Sequence, residues 1–218
     1  IEKDIRLKPI LDTLFSTNKD QITIFYDDVL KCDLEEFLKE KQSEGMPIKK
    51  ITGNLPYFIS LPLLKKIMEV HYLLEMAVVM VQKEVAERMM AQPGNKNYGL
   101  LSVISQYYAR IDKIHLVKPD VFYPKPEVNS MIIRICFFKK PAVYIEDESL
   151  FFDLLHAVFQ HRRKNIYNAL NLYFGDKIDK NRLQASLQAL KIEKNQRGES
   201  FNLQKFAQLT AEIKKIIK

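Results

Sequence analysis

Two hydrophobic rhythms alternate along the first two thirds of the chain. Gln21–Tyr26 gathers β-branched and aromatic residues and predicts a strand that ends at Asp27-Asp28. Met76–Val81 is an unbroken apolar run of the kind a buried strand shows. Ile48–Thr52, Ile111–Val117 and Met131–Phe138 predict further strands, the last two flanking the loop Asp120–Ser130. Between them the spacing turns helical: Ile5–Phe15 despite Pro9, Leu34–Lys41, Leu63–Tyr72 opened by Pro62, Lys83–Met90 and Tyr98–Ala109. Strands alternating with helices predict an α/β domain with an open, mostly parallel sheet covered by helices. Ligands of such sheets bind beyond the carboxyl ends of the strands. Glu2, Asp28 and Asn54 fall at those ends.

Beyond residue 140 the strand rhythm stops. Lys139–Asp147 reads as a linker. Helical spacing then covers Leu150–Gln160, Lys164–Tyr173 and Asn181–Leu190, with a last helix that Ser200 would cap and that runs to the end. The expected division is 1–140, a sheet domain, and 148–218, a small all-helical C-terminal domain.

Composition narrows the class. Of 218 residues 47% are hydrophobic and 28% charged, enough apolar side chain for a core and too little charge for wholesale disorder. Cys32 and Cys136 alone make neither a disulfide scaffold nor a zinc site, and two reduced thiols fit a cytoplasmic protein. No apolar stretch reaches the ~18 residues of a membrane span. His156 and His161 lack Cys or His partners at ligand spacing, so no metal is expected. Residues 148–218 hold 13 basic and 7 acidic side chains and so carry +6 of the formal +7. A basic C-terminal third fits a polyanionic partner. The chain opens on Ile1 rather than Met, inside what reads as a strand ending at Ile1-Glu2, and an upstream portion is expected.

The densest chemistry is Asn54-Leu55-Pro56-Tyr57, after Gly53 at a strand end. The Asn54 side-chain oxygen and the Leu55 carbonyl can each accept one hydrogen of an exocyclic amine. Pro56 stiffens the turn by its fixed φ and missing N–H. Tyr57 offers a flat face to an extruded base. These features point to methylation of a nucleobase amine.

Five segments, in order, extend the picture. They are Val81-Gln82-Lys83-Glu84-Val85, Tyr98-Gly99-Leu100-Leu101-Ser102-Val103, Phe122-Tyr123-Pro124-Lys125-Pro126-Glu127-Val128-Asn129-Ser130, Phe159-Gln160-His161-Arg162-Arg163-Lys164 and Arg197-Gly198-Glu199. With the Asn54 turn they resemble the small-subunit ribosomal RNA adenine N6-dimethyltransferase family over essentially the whole chain. The resemblance implies a Rossmann-like methyltransferase sheet, N-terminally truncated here, and S-adenosylmethionine as methyl donor. It implies that Glu2 bonds the cofactor ribose hydroxyls, that Asp28 rather than its neighbour Asp27 accepts from the cofactor adenine amine, and that Asn54 adjoins both cofactor and target. It implies that Tyr57 and Phe122 stack on the two faces of the target base, although Phe122 also reads as a buried loop aromatic. Lys125 is placed to meet a phosphate. Arg162, Arg163 and Lys164 read either as phosphate contacts or as braces between the two domains. The implied partner is ribosomal RNA within a small-subunit precursor particle, met by a monomer. Because the family's glycine-rich cofactor loop precedes the strand ending at Glu2, this chain by itself is expected to bind the cofactor poorly or not at all. Two rivals remain: a large-subunit ribosomal RNA adenine methyltransferase of the macrolide-resistance type, and a non-catalytic RNA-binding or assembly factor. DNA adenine and protein-glutamine methyltransferases also place Asn or Asp before a Pro-Pro-aromatic turn. Leu55, the Pro-rich loop and the basic helical tail do not suit them.

Overall fold

The computed structural model describes residues 1–18, 21–193 and 195–217. A short turn at Ile5–Leu7 leads into α1 (Lys8–Leu14), with Pro9 in the first turn, where a missing N–H costs nothing. Helix α2 (Leu34–Ser43) begins where the Asp33 carboxylate accepts from Glu36 N–H. Strand β1 (Lys50–Asn54) runs into α3 (Ser60–Glu69), which starts ahead of Pro62. Strand β2 (Met76–Gln82) then leads directly into α4 (Lys83–Met90), and α5 (Leu100–Tyr108) directly into β3 (Ala109–Val117). Strand β4 (Ser130–Phe137) completes the sheet, whose order is β1-β2-β4-β3.

Only one of the three strand pairings is parallel. β1 runs parallel to β2, whereas β4 is antiparallel to both β2 and β3. The mostly parallel expectation is therefore corrected to a mixed sheet. The cause is the connection from β3 to β4 through residues 118–129, which carries no crossover helix. A direct return of that kind can join only antiparallel strands. β2 and β4 lie in the centre, and their inward side chains Ala77, Val79, Val81, Met131, Ile133 and Ile135 are buried.

Gln21–Tyr26 does not become a strand of this sheet. It makes one parallel bridge, Tyr26 to Glu2, with Glu2 N–H donating to the Phe25 carbonyl at 2.8 Å. Its apolar side chains pack sideways instead: Phe25 meets Phe37 of α2 edge-on at 4.8 Å, under the Lys41 ammonium at 5.3 Å. β-propensity supplies side chains that suit a pleat, but a ladder also needs a neighbouring backbone.

After the sheet come α6 (Glu148–Gln160), α7 (Ile166–Phe174), α8 (Lys180–Ala189) and α9 (Leu203–Lys214). Each has a side-chain N-cap, from Asp147, Asn165, Asp179 and Asn202 respectively. Caps of this type contribute about 1 kcal/mol each. Ser200 is not the cap of the last helix. Its hydroxyl donates to the Arg197 carbonyl at 2.8 Å in a tight turn, and Asn202 caps α9 by accepting from Lys205 N–H. The second of these helices starts at Ile166 rather than Lys164, so Arg162, Arg163 and Lys164 lie in the turn between α6 and α7.

The buried apolar side chains form one continuous cluster from the sheet into the helices. Polar contacts cross the same seam. The buried Tyr98 hydroxyl donates to the Phe201 carbonyl at 2.7 Å, the Tyr107 hydroxyl to Glu148 Oε1 at 2.7 Å, and Gly94 N–H to the Glu199 carbonyl at 2.9 Å. Burial drives the Tyr98 and Tyr107 phenols far above their ordinary range, so both remain neutral donors. Among the described residues no helix is long and apolar enough to cross a membrane.

Candidate active site

The Asn54 turn forms where β1 leaves the sheet. Asn54 is still in register, opposite Met80 of β2, and Leu55 N–H donates to the Met80 carbonyl at 3.1 Å. The Leu55 side chain then folds into the core, with 5% of it exposed. Gly53 makes room for this: a β-carbon there would stand 3.0 Å from Leu55 Cδ2. Pro56 is extended (φ −55°, ψ 134°) and leads into a tight turn, Tyr57–Ile59, closed by Ile59 N–H to the Pro56 carbonyl at 3.0 Å. Ser60 Oγ donates to the Tyr57 carbonyl at 3.0 Å and starts α3. The backbone on both sides is thus hydrogen-bonded. In contrast, among the described residues nothing donates to the exposed Asn54 side chain or to the Leu55 carbonyl. Two acceptors of adjacent residues thus stand without a donor at the carboxyl end of a strand.

Tyr57 is held beside them. Its ring is half-buried, and its hydroxyl pairs with the buried Ser130 Oγ at 2.6 Å, across 73 residues of sequence. Ser130 is the first residue of β4, opposite Gln82 of β2 and Val117 of β3. The same rim therefore carries the Asn54 turn, the end of β2 and both ends of the 118–129 loop. Sequence reading missed Ser130. The available signal was a small hydroxyl residue at the first position of a strand with one buried face.

Phe122 and Lys125 lie in that loop. Phe122 N–H closes a turn on the Pro119 carbonyl at 3.1 Å, and its ring is half-buried. Neither Tyr57 nor Phe122 meets another aromatic ring among the described residues. Lys125 Nζ pairs with Asp120 at 2.5 Å, both side chains well exposed. Such pairs contribute about 0–1 kcal/mol, so the lysine can exchange its partner readily.

The two acids lie together at the edge formed by the Glu2–Tyr26 bridge. Glu2 Oε1 accepts from Asp4 N–H at 2.6 Å. Asp28 accepts from Leu30 N–H at 3.0 Å and pairs with the exposed Lys3 at 2.8 Å. The Lys3 ammonium holds the Asp28 carboxyl below its usual range, with help from the Leu30 N–H, so it is an ionised acceptor near neutral pH. Asp27 is exposed and accepts from the N–H of its neighbour Asp28 at 2.7 Å. Lys66 of α3 donates to the Cys32 carbonyl at 2.5 Å and reaches the Val29 carbonyl at 3.4 Å. The loop after Asp28 is thereby tied to the helix that follows the Asn54 turn.

Residues 1–213 match the family model described as ribosomal RNA adenine dimethylase. The chain belongs to that family. It is 35% identical over 213 residues to ribosomal RNA small subunit methyltransferase A of Clostridium acetobutylicum, covering 98% of this chain and 74% of that protein. The Streptococcus gordonii protein of the same name is 40% identical over 215 residues, covering 98% and 73%. Among solved structures, a dimethyladenosine transferase from Plasmodium falciparum superposes with a TM-score of 0.81 at 22% identity, covering 98% of this chain and 80% of that one. The 23S rRNA methyltransferase ErmE gives a TM-score of 0.65 at 19% identity, with the same coverage of both chains. Both share the Rossmann-like methyltransferase fold.

Within this dimethylase the basic cluster divides in two. One Arg162 nitrogen, Nη2, donates to the Tyr98 carbonyl at 2.9 Å and the Lys96 carbonyl at 3.2 Å, and reaches Glu199 Oε2 at 3.4 Å. It bridges the segment ahead of α5 to the turn ahead of α9. Arg163 and Lys164 are exposed and make no ion pair among the described residues. Arg162 therefore braces two segments of the fold, and the other two face solvent. Among the described residues no three His, Cys, Asp or Glu side chains gather in a group that could hold a metal ion.

Proposed function

We propose that this protein transfers methyl groups from S-adenosylmethionine to N6 of adenosines in small-subunit ribosomal RNA. One observation carries the reading: two acceptors of adjacent residues, Asn54 Oδ1 and the Leu55 carbonyl, have no donor among the described residues and lie in the turn that leads to the tethered Tyr57 ring. An adenine amine is flat because its lone pair is conjugated with the ring. Accepting both N–H groups at two fixed points favours a pyramidal nitrogen and turns its lone pair outward. S-adenosylmethionine, when bound, supplies a methyl carbon on a sulfonium, whose C–S bond breaks as the C–N bond forms. Asn54, an amide, does not act as a strong base; it positions the nitrogen and stabilises the positive charge that develops there. The proton lost from N6 leaves on the acceptor side, from the Asn54 Oδ1 hydrogen bond to water. A second round on the same nitrogen uses the one hydrogen that remains.

The chain's own acids suit the donor in kind. Glu2 would accept from a pair of ribose hydroxyls and Asp28 from an adenine amine, since ionised carboxylates are acceptors only. Lys3, three-quarters exposed, holds Asp28 only loosely from solvent. Tyr57 and Phe122 would flank the target base, and Lys125, Arg163 and Lys164 would meet phosphates without reading sequence. The partner in this reading is a small-subunit precursor particle, met by a cytoplasmic monomer. Residues 1–140 carry the chemistry and 148–218 the added basic surface.

The test offers labelled S-adenosylmethionine and the intact protein to small and large ribosomal subunit particles separately. Label should enter only the small-subunit RNA, recovered as N6,N6-dimethyladenosine by nucleoside mass spectrometry. Label in the large subunit, or in neither, would overturn the proposal.

A further inference from the structure

Two rings at the rim of the Asn54 turn stand out in water. Phe58, next in the chain after Tyr57, is 86% exposed, and Tyr123, next after Phe122, is 102% exposed relative to a free residue. By contrast Tyr98, Tyr107, Phe151, Phe201 and Phe206 are almost wholly buried. Exposure alone is no signal, since single apolar side chains often face solvent. Tyr144, in the segment before α6, is equally open at 87%. Placement distinguishes the pair. Each exposed ring directly follows a ring placed to stack on the target base. The two segments that carry them are fastened together by the Tyr57–Ser130 hydrogen bond.

We propose that Phe58 and Tyr123 are stacking platforms for the bases on either side of the target adenosine. The inference rests on the methyl-transfer reading above and deepens it. Extruding a base strips stacking partners from its two neighbours, and that loss opposes extrusion. A ring offered to each neighbour replaces part of what was lost. Base–aromatic stacking tolerates any sequence, because every base has a flat face. Single-stranded RNA is commonly held this way. Charge on the loop cannot do the same work. Residues 118–129 set Lys118 and Lys125 against Asp120 and Glu127, so the loop carries no net charge, and a phosphate contact from Lys125 would hold the backbone without replacing lost stacking. What this rim offers the bases themselves is ring faces.

The test measures methylation of small-subunit particles by the intact protein and by variants at these two positions. The substitutions are Phe58→Ala and Tyr123→Ala, singly and together, with Phe58→Trp and Tyr123→Phe as aromatic replacements and leucine at each site as an apolar one. Each single alanine variant should lower kcat/KM by about 5- to 150-fold, the range seen when one stacking ring is truncated, and the double variant should lose more. The loss should lie mostly in KM, and melting temperatures should not change. Aromatic replacements should restore activity, and leucine should not. Unchanged kcat/KM in the double alanine variant would overturn the inference. Rescue by leucine would also overturn it, because the rings would then be filling an apolar contact with a protein. If the wild-type arm transfers no methyl group to these particles, the functional reading itself fails, and that outcome is distinct from both.

Discussion

Asn54→Ala should lower kcat for methyl transfer by about 10²–10³-fold, the loss typical when one preorganised group that stabilises developing charge is removed. The substitution deletes one of the two open acceptors and leaves the Leu55 carbonyl to hold the amine alone. Amine geometry is then underdetermined, because one hydrogen bond fixes a direction and two fix an orientation. KM should change far less, since the proposed contacts of the Tyr57 ring with the base and of the basic side chains with phosphates are untouched. Stability should stay within about 0.5 kcal/mol, because the Asn54 side chain is exposed and bonds to nothing among the described residues. Steady-state kinetics and a melting curve on the same preparation check both statements. A variant with near-normal kcat would refute the assigned role of this side chain.

Gly198→Ala is expected to be the most damaging single-methyl change at the seam between sheet and helices. A β-carbon at residue 198 would sit 2.1 Å from Val158 Cγ1 on α6, far inside contact distance. Val158 is itself 4% exposed and has little room to retreat. Overpacking of this kind costs typically 1–3 kcal/mol, which lowers the melting temperature of a domain of this size by roughly 2–12 °C. The turn that would shift also holds Glu199, whose carbonyl accepts from Gly94 N–H and whose carboxylate faces Arg162, and leads to Phe201, whose carbonyl accepts from Tyr98. Val158→Ala in the same chain should recover much of the loss, giving a non-additive pair. Additive melting shifts from the two substitutions would show that the turn does not rest on α6 as described.

Legibility in the sequence followed the range of the interactions. The Asn54 turn was readable because its chemistry lies in four consecutive residues, one of which fixes its own φ. β2 and β4 were readable because both are largely apolar runs rich in β-branched residues, and in each one face is buried and the other half-buried. The strand order was not, because periodicity along a segment says nothing about which backbone lies beside it. That is why Gln21–Tyr26, with strand-like composition, forms one bridge rather than a ladder. The Tyr57–Ser130 bond spans 73 residues and Arg162 reaches Tyr98 across 64. Contacts at such distances depend on the finished fold. Arg162, Arg163 and Lys164 look alike as a run and are all exposed, and only the fold gives Arg162 its carbonyl partners. The cap of α9 was misplaced for a local reason: Ser200 and Asn202 are both good caps, and Ser200 is already engaged in its own turn.

The account turns on where the amine of the target adenine is held. A structure of the intact protein with S-adenosylhomocysteine and an adenosine-bearing small-subunit RNA fragment measures this directly. N6 should lie about 3 Å from both Asn54 Oδ1 and the Leu55 carbonyl oxygen, within ordinary hydrogen-bond distance. An adenine whose N6 lies beyond about 4 Å from both oxygens would contradict it.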